Sequence, residues 1–331
     1  MRRMVWSLLI GLGVFFIVLA VMLRFFVPGQ AVKAPLNEYT KSTLQGTDVS
    51  YFSAAQLQEL TGVTMRATDT VEGDVAAAKA AGASHVAVWR SFSAVEDITN
   101  HQPFQYNSQM LAFDRSNGQL LNCCGQFIGS NHHLHVSGQG YLWPFNAGKH
   151  SYAIFDTTLL KPVQFRFAGT DVTDGISTYR YVVHIPAQQI GTQTLPAALL
   201  GLSGTEVTLP EFYAADKTYW VDPVTGTPLQ VTQTQRLTLR DDTGATQLVL
   251  LDGTLSTTPA SVSASADTDR GRLTKIHLIE IILPIVGLLV GIILVVVGLV
   301  LSRPRPEDEI AEDEQDEAAE HEGTEAADLP E

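Results

Sequence analysis

The sequence predicts a mainly β domain between two transmembrane α-helices, and three observations support this fold class. Two uncharged apolar runs lie near the two ends of the chain, at residues 4–23 and 281–301. Between them, short runs of β-branched and aromatic residues alternate with turn residues, which is the pattern of antiparallel strands. Only 17% of the 331 residues are charged, against about 25% in ordinary soluble domains. We therefore expect an antiparallel meander of eight or more strands, as a barrel or a sandwich.

The first apolar run is long enough to cross a bilayer as a helix. Its twenty residues extend about 30 Å at about 1.5 Å each, which matches the hydrocarbon core. A cleaved signal peptide is the alternative, because Arg2 and Arg3 form a basic start and Val32-Lys33-Ala34 offers small residues for cleavage. The run exceeds the 7 to 15 residues or so of a signal-peptide core, so we expect an uncleaved anchor over residues 1–27.

The second apolar run predicts a returning transmembrane helix over residues 281–302. Arg2 and Arg3 favour a cytoplasmic N-terminus, and Arg303 and Arg305 then return to the same side. We expect a plasma-membrane protein with both termini in the cytoplasm and an extracytoplasmic central domain.

Small residues within the two runs predict close helix contacts. Gly287 and Gly291 form a GxxxG pattern, and Ser7 with Gly11 forms a small-xxx-small pair. Through these residues the two helices would pack on each other, or on a second copy in a homo-oligomer.

Turn residues divide the expected β domain, residues 28–256, into hairpins. In the turn at 222–226, Pro223 presets the backbone and Gly226 supplies a positive φ. The same pattern predicts strands on both sides of the turns at 116–118, 174–175, 222–226 and 241–244.

Helix signals in the central domain are few. Ser53-Ala54-Ala55-Gln56 is a capping-box pattern, which predicts a short helix that ends at Gly62. The alanine-rich stretch 74–80 predicts a turn or two of helix. Residues 257–280 are either a flexible linker or a helix that begins at Asp269 and enters the membrane.

Acidic residues are concentrated at the C-terminal end. Of the 35 Asp and Glu residues, thirteen lie in 307–331, which holds no Lys or Arg, so the rest of the chain is nearly neutral. A charged segment without aromatic residues predicts a disordered cytoplasmic tail over residues 303–331. The near-neutral remainder lacks the basic surface of a nucleic-acid-binding protein.

The two cysteines of the chain, Cys123 and Cys124, are adjacent. Thiols outside the membrane tend to oxidise, so they form a bond to each other, bonds to another chain, or remain free. Their Cα atoms are about 3.8 Å apart, below the usual disulfide range of about 4.4 to 6.8 Å. We predict a vicinal disulfide that acts as a switch or a rigid loop, with a simple structural turn as the alternative.

His133 and His135 are weak metal candidates, because alternate residues of a strand share one face. An exposed loop is the favoured interpretation, and no zinc-type CxxC pair, HExxH or EF-hand pattern supports a metal. Walker A, GxGxxG and GxSxG motifs are also missing from the sequence. We therefore expect no cofactor and no enzymatic activity.

Four short motifs occur in order between the two apolar runs. They are WPF at 143–145, YAIFD at 152–156, DGISTYRY at 174–181 and YWVDPVTG at 219–226. In this order the chain, up to about Leu301, resembles the actinobacterial envelope proteins of the porin PorA family. The resemblance implies a two-span envelope protein, and the acidic tail lies outside it.

Three functions remain open at this point. The favoured one is a membrane-anchored β-domain that binds or transfers an apolar, lipid-type ligand, because β-rich folds enclose ligand cavities. The second is an oligomeric channel, since two helices alone cannot enclose a pore. The third is a structural accessory subunit of an envelope complex.

Overall fold

The computed structural model describes residues 2–26 and 33–303. These form two compact units: a helical unit, described at 2–26 and 276–303, and a β-rich unit, described at 33–275. The part of the predicted acidic tail that follows Arg303 lies outside the described residues.

One antiparallel sheet of twelve strands makes up most of the β-rich unit, which confirms the predicted fold class. The strands are β1 Tyr39–Ser53, β2 Gln58–Gly73, β3 Val86–Asp97, β4 Gln102–Asp114, β5 Leu120–Leu121, β6 Phe127–Ile128, β7 Tyr152–Asp156, β8 Lys161–Thr173, β9 Ile176–Pro196, β10 Glu206–Val221, β11 Pro228–Arg240 and β12 Thr246–Thr257.

The sheet consists of two meanders that meet in its middle. The strand order is β5-β4-β3-β2-β1-β12-β11-β10-β9-β8-β7, with β6 paired to β4. The first strand therefore pairs with the last, with Leu44 opposite Thr257. Gln139 bridges to Gln119, beside β5, and to Ile154 of β7, so the two ends of the sheet are joined through this residue. The sheet curls and has an inner and an outer face.

The turn at 222–226 has the predicted chemistry. Gly226 has a φ of 71°, and its N–H donates to the Asp222 carbonyl over 2.9 Å. The Asp222 carboxylate also accepts from the Val224 N–H at 3.0 Å, so the turn is fixed by its own first side chain. β10 and β11 pair on either side of it.

The β-rich unit also contains two helices, α2 Val75–Ala80 and α3 Pro259–His277. Helix α2 confirms the turn or two of helix that the alanine-rich stretch predicts, and Asp74 caps it by accepting from the Ala77 N–H. The predicted flexible linker is wrong for residues 259–268, because helix α3 begins at Pro259 and not at Asp269. The helix predicted from Ser53 is wrong: Gln56 N–H donates to Ser53 Oγ at 3.3 Å, but this contact closes the β1–β2 turn, because strand pairing continues directly afterwards.

The helical unit contains α1 Arg2–Phe25 and α4 Leu283–Ser302, and a π-helical turn, Leu278–Ile282, precedes α4. Both segments are long and apolar enough to cross a membrane. They pack closely because Gly13 of α1 faces Gly291 of α4. If a larger residue replaced Gly13, its Cβ atom would lie only 2.7 Å from the Gly291 carbonyl oxygen. Gly287 faces Ala20 of α1, whereas Gly11 has open space around it. The contact residue on α1 is thus Gly13 and not the predicted Gly11.

Candidate functional site

A cavity lies on the inner face of the curled sheet. It has two adjoining parts: a larger lobe of about 440 Å³ and a smaller lobe of about 220 Å³. The lobes share six lining residues: Asp69, Val71, Tyr141, Tyr219, Pro228 and Gln233.

The lining follows the alternation of the strands. Met65, Ala67, Asp69 and Val71 on β2 all line the cavity, while the residues between them point outward. The same alternation holds on the other main strands, through Thr40, Ser42 and Leu44 on β1, Ser91, Ser93 and Val95 on β3, Gln105, Asn107 and Gln109 on β4, and Val231, Gln233 and Gln235 on β11. The cavity is thus lined by strands β1 to β4, β7 and β10 to β12.

The two lobes differ in chemistry. The larger lobe has a mixed lining, in which amide side chains such as Asn107, Gln109 and Gln235 accompany apolar ones such as Leu251 and Leu255. The smaller lobe is mainly apolar, with Leu44, Leu142, Leu229, Val231 and Trp89 in its lining. The larger lobe is therefore the more polar of the two.

A buried ion pair lines the larger lobe. Lys217 Nζ of β10 lies 2.7 Å from Asp156 Oδ2 at the end of β7, and these side chains are 13% and 1% exposed. Asp156 also accepts from the backbone N–H groups of Thr158 and Leu159. Burial alone would lower the pKa of Lys217, but the Asp156 carboxylate outweighs it and raises the pKa above its ordinary value. Lys217 is therefore a neutralised cation.

A second ion pair lines the smaller lobe. Arg272 of α3 donates from Nη2 to both oxygens of Glu38, at 2.6 and 2.7 Å. Glu38 is buried, and its bidentate pairing fixes α3 against the segment that precedes β1.

Asp69 is the remaining charged residue of the lining. It has no ion-pair partner within residues 33–275, and burial raises the pKa of its carboxyl group, against a hydrogen bond from Ser93. The carboxyl group faces both lobes, so the cavity holds one acidic group without a counter-ion.

Trp143 lines the larger lobe and packs against a cluster of aromatic rings. Its ring lies 5.2 Å from Tyr219, 5.5 Å from Tyr181 and 5.8 Å from Phe165, measured between centroids. Trp143 is buried, yet its indole Nε1–H has no hydrogen-bond partner among the described residues. The sequence motif at 143–145 thus supplies a cavity residue.

A further polar cluster lies where α3 packs on the β10–β11 turn. Thr225 Oγ1 lies 2.8 Å from Asp269 Oδ1 and 3.0 Å from Asp222 Oδ2. Burial, together with the nearby Asp222 carboxyl, raises the pKa of Asp269 to about 7. Asp222 and Asp269 are both fully buried, so the cluster anchors the helix.

The cysteines and histidines predicted as site residues lie away from the cavity. Cys123 and Cys124 are joined to each other by a disulfide in the loop after β5, beside α2. His133 and His135 are exposed, and the described residues contain no group of three or more His, Cys, Asp or Glu that could hold a metal. The structure does not bring the histidines and cysteines together into a metal site.

The outer face of the sheet is polar. Hydroxyl pairs cross it, such as Thr234 with Thr254 at 2.7 Å and Thr194 with Thr208 at 2.7 Å, and so does the ion pair of Arg236 with Asp252. Over residues 33–275, this face lacks the apolar band that a membrane-spanning β-barrel presents to lipid.

These features define a class of membrane protein: an antiparallel β-domain with a cavity on the inner face of its sheet, joined in sequence to two apolar helices of membrane-spanning length. The chain belongs to the porin PorA family, whose family model matches residues 7–300. Family membership and the two long apolar helices support a membrane protein. No curated protein shows significant similarity to the chain.

Proposed function

We propose that the chain is an anchored envelope protein whose β-domain holds an amphiphilic, lipid-type ligand in its interior cavity. In this proposal the membrane anchors are residues 1–27 and 281–302, and the β-domain, residues 28–256, lies outside the plasma membrane. Residues 257–280 lead into the second anchor. Residues 303–331 form a cytoplasmic tail.

The cavity is the observation that carries this proposal. Its larger lobe, at about 440 Å³, falls within the roughly 300 to 1,000 Å³ of usual ligand pockets. A sheet that served only as a scaffold would fill its interior with apolar side chains, as small barrels do. A lobe with several amide groups that adjoins a mainly apolar lobe matches a molecule with a headgroup and a hydrocarbon chain.

Native mass spectrometry of the detergent-extracted full chain tests this function. We expect a co-purified amphiphile, and we expect Ser93→Trp to displace it because Ser93 faces the larger lobe. Ser108→Trp is the matched control, since Ser108 is exposed on the outer face of the neighbouring strand. Equal amounts of bound amphiphile in the two variants, or none in the unmodified chain, would contradict the proposal.

The proposed topology has a separate test. Single cysteines in a Cys123→Ser, Cys124→Ser background are labelled in intact cells with a reagent that does not cross membranes. We expect a cysteine at Asn117, a half-buried residue of the turn after β4, to react from outside, and cysteines near either chain end to react only after lysis. A mature protein that lacks the first apolar run would instead indicate a signal peptide.

An oligomeric channel is the second candidate, favoured by the porin family match and by the polar lining of the larger lobe. Since Gly287 and Gly291 face α1 within one chain, a homo-oligomer through these two glycines requires α1 to be displaced, and any other oligomer uses a different helix face. Conductance in planar bilayers, together with a subunit number above one by native mass spectrometry, would favour the channel over the ligand-binding function.

A further inference from the structure

We infer that the larger lobe recognises a headgroup rich in hydroxyls, of the sugar or polyol type, in preference to an ammonium or phosphate headgroup. The inference rests on the proposed function, because it names the chemical class of the ligand that the cavity would hold.

The amide side chains of the larger lobe are the first support. Asn107 of β4 and Gln233 and Gln235 of β11 make no side-chain hydrogen bonds to other described residues. Each amide carries two N–H donors and a carbonyl acceptor. A ligand that satisfies several such amides needs donors and acceptors side by side, and neighbouring hydroxyl groups provide both.

Asp69 and Trp143 restrict the headgroup further. The Asp69 carboxylate can only accept when it is ionised, and the Trp143 Nε1–H can only donate. Both residues line the larger lobe. Among the described residues, Asp69 has no counter-ion and the Trp143 Nε1–H has no hydrogen-bond partner. An ammonium group cannot accept from Trp143, and a quaternary ammonium has no N–H for Asp69. A hydroxyl group donates to one residue and accepts from the other.

The charge balance of the lining excludes an anion site. Lys217 is paired with Asp156, and Arg272 is paired with Glu38, so the two cations of the lining are already neutralised. A phosphate would face the negative Asp69 without a free cation to compensate it, and burial of an uncompensated charge is costly. The charge balance therefore disfavours an anionic headgroup, and Trp143 separates a hydroxyl from an ammonium group.

Two photoaffinity probes with the same tail test the headgroup. Both carry a diazirine in a dodecyl chain, one on a maltoside and one on a phosphocholine. The full chain in phospholipid nanodiscs is irradiated with each probe, and labelled peptides are mapped by mass spectrometry. Labelling of α1 and α4 corrects for partition of each probe into the bilayer, so the readout is labelling of the sheet relative to the helices.

We expect the maltoside to label the cavity strands at least about tenfold more than the phosphocholine. Loss of one hydrogen bond to a charged group lowers the affinity by about this factor. Asp69→Asn should reduce maltoside labelling by a similar factor, and Asp252→Asn, on the outer face, should not change it. Asn107→Leu, of similar size, should also reduce it, and serves as the readout if Asp69→Asn unfolds the domain by circular dichroism.

The failures of the two proposals are distinguishable. Equal labelling of the cavity strands by both probes, or labelling that Asp69→Asn and Asn107→Leu leave unchanged, overturns the hydroxyl headgroup and leaves amphiphile binding in place. If neither probe labels the cavity strands, both the headgroup inference and the proposed function are overturned.

Discussion

Replacing Lys217 with methionine should destabilise the β-rich unit strongly, because it leaves Asp156 as a buried charge without a partner. The Lys217 Nζ to Asp156 Oδ2 distance is 2.7 Å, and the Asp156 side chain is 1% exposed. Loss of one member of a buried ion pair costs about 3 to 5 kcal/mol. Thr158 and Leu159 continue to donate to Asp156, so we expect the lower value, about 3 kcal/mol.

Heat unfolding of the full chain in detergent micelles, followed by tryptophan fluorescence, measures this loss. For a domain of this size, about 3 kcal/mol corresponds to a fall in Tm of roughly 6 to 12 °C. The double variant Lys217→Met, Asp156→Asn should recover most of the loss, since it removes both charges. Arg236→Met is the control, because the Arg236 to Asp252 pair is half-exposed and such pairs contribute about 0 to 1 kcal/mol.

Two results would refute this reasoning. One is a Tm of Lys217→Met no lower than that of Arg236→Met. The other is a double variant whose loss equals the sum of the two single losses, since independent effects would mean that Lys217 and Asp156 do not stabilise each other.

Three further predictions concern other parts of the chain. Because burial raises the pKa of Asp269 to about 7 from its ordinary 3.8, the folded state holds a proton that the unfolded chain loses, so stability should fall as pH rises from about 4 to about 7. Asp269→Asn should remove that fall in chemical denaturation measured across this pH range, and an unchanged pH profile would contradict it. Gly13→Val should separate α1 from α4 and lower the Tm of the helical unit, whereas Gly11→Val, in open space, should not; equal effects would argue against the close contact. Because Cys123 and Cys124 form a disulfide, an alkylating reagent should increase the mass of the intact protein only after the protein has been reduced. Alkylation of either cysteine without reductant would disprove the disulfide.

Hairpins were the most predictable part of the fold, because their signals are local. The turn at 222–226 combines an Asp, a Pro and a Gly at positions that set the backbone, so its type follows from a few residues. The capping-box pattern at Ser53 failed for the same reason. Its hydrogen bond forms as predicted, but a short local pattern does not decide between one turn of helix and a hairpin when strand pairing continues on both sides.

The cavity could not be predicted from strand alternation. On β11, Gln233 and Gln235 face inward while Thr232 and Thr234 face outward, so both faces are polar. Alternation identifies the inner face only when that face is apolar. A row of glutamines resembles a solvent-facing edge in the sequence, and its burial depends on how the whole sheet curls.

The pairing of β1 with β12 has a consequence for the biosynthesis of this protein. Until the last strand has been synthesised, one long side of β1 has no partner, and free strand edges are prone to pair with other chains. Loop closure between such distant segments is slow, so the sheet cannot be completed while the ribosome is still producing its second half. We expect nascent chains of this family to need protection from aggregation for longer than a protein whose neighbouring strands are also neighbours in sequence.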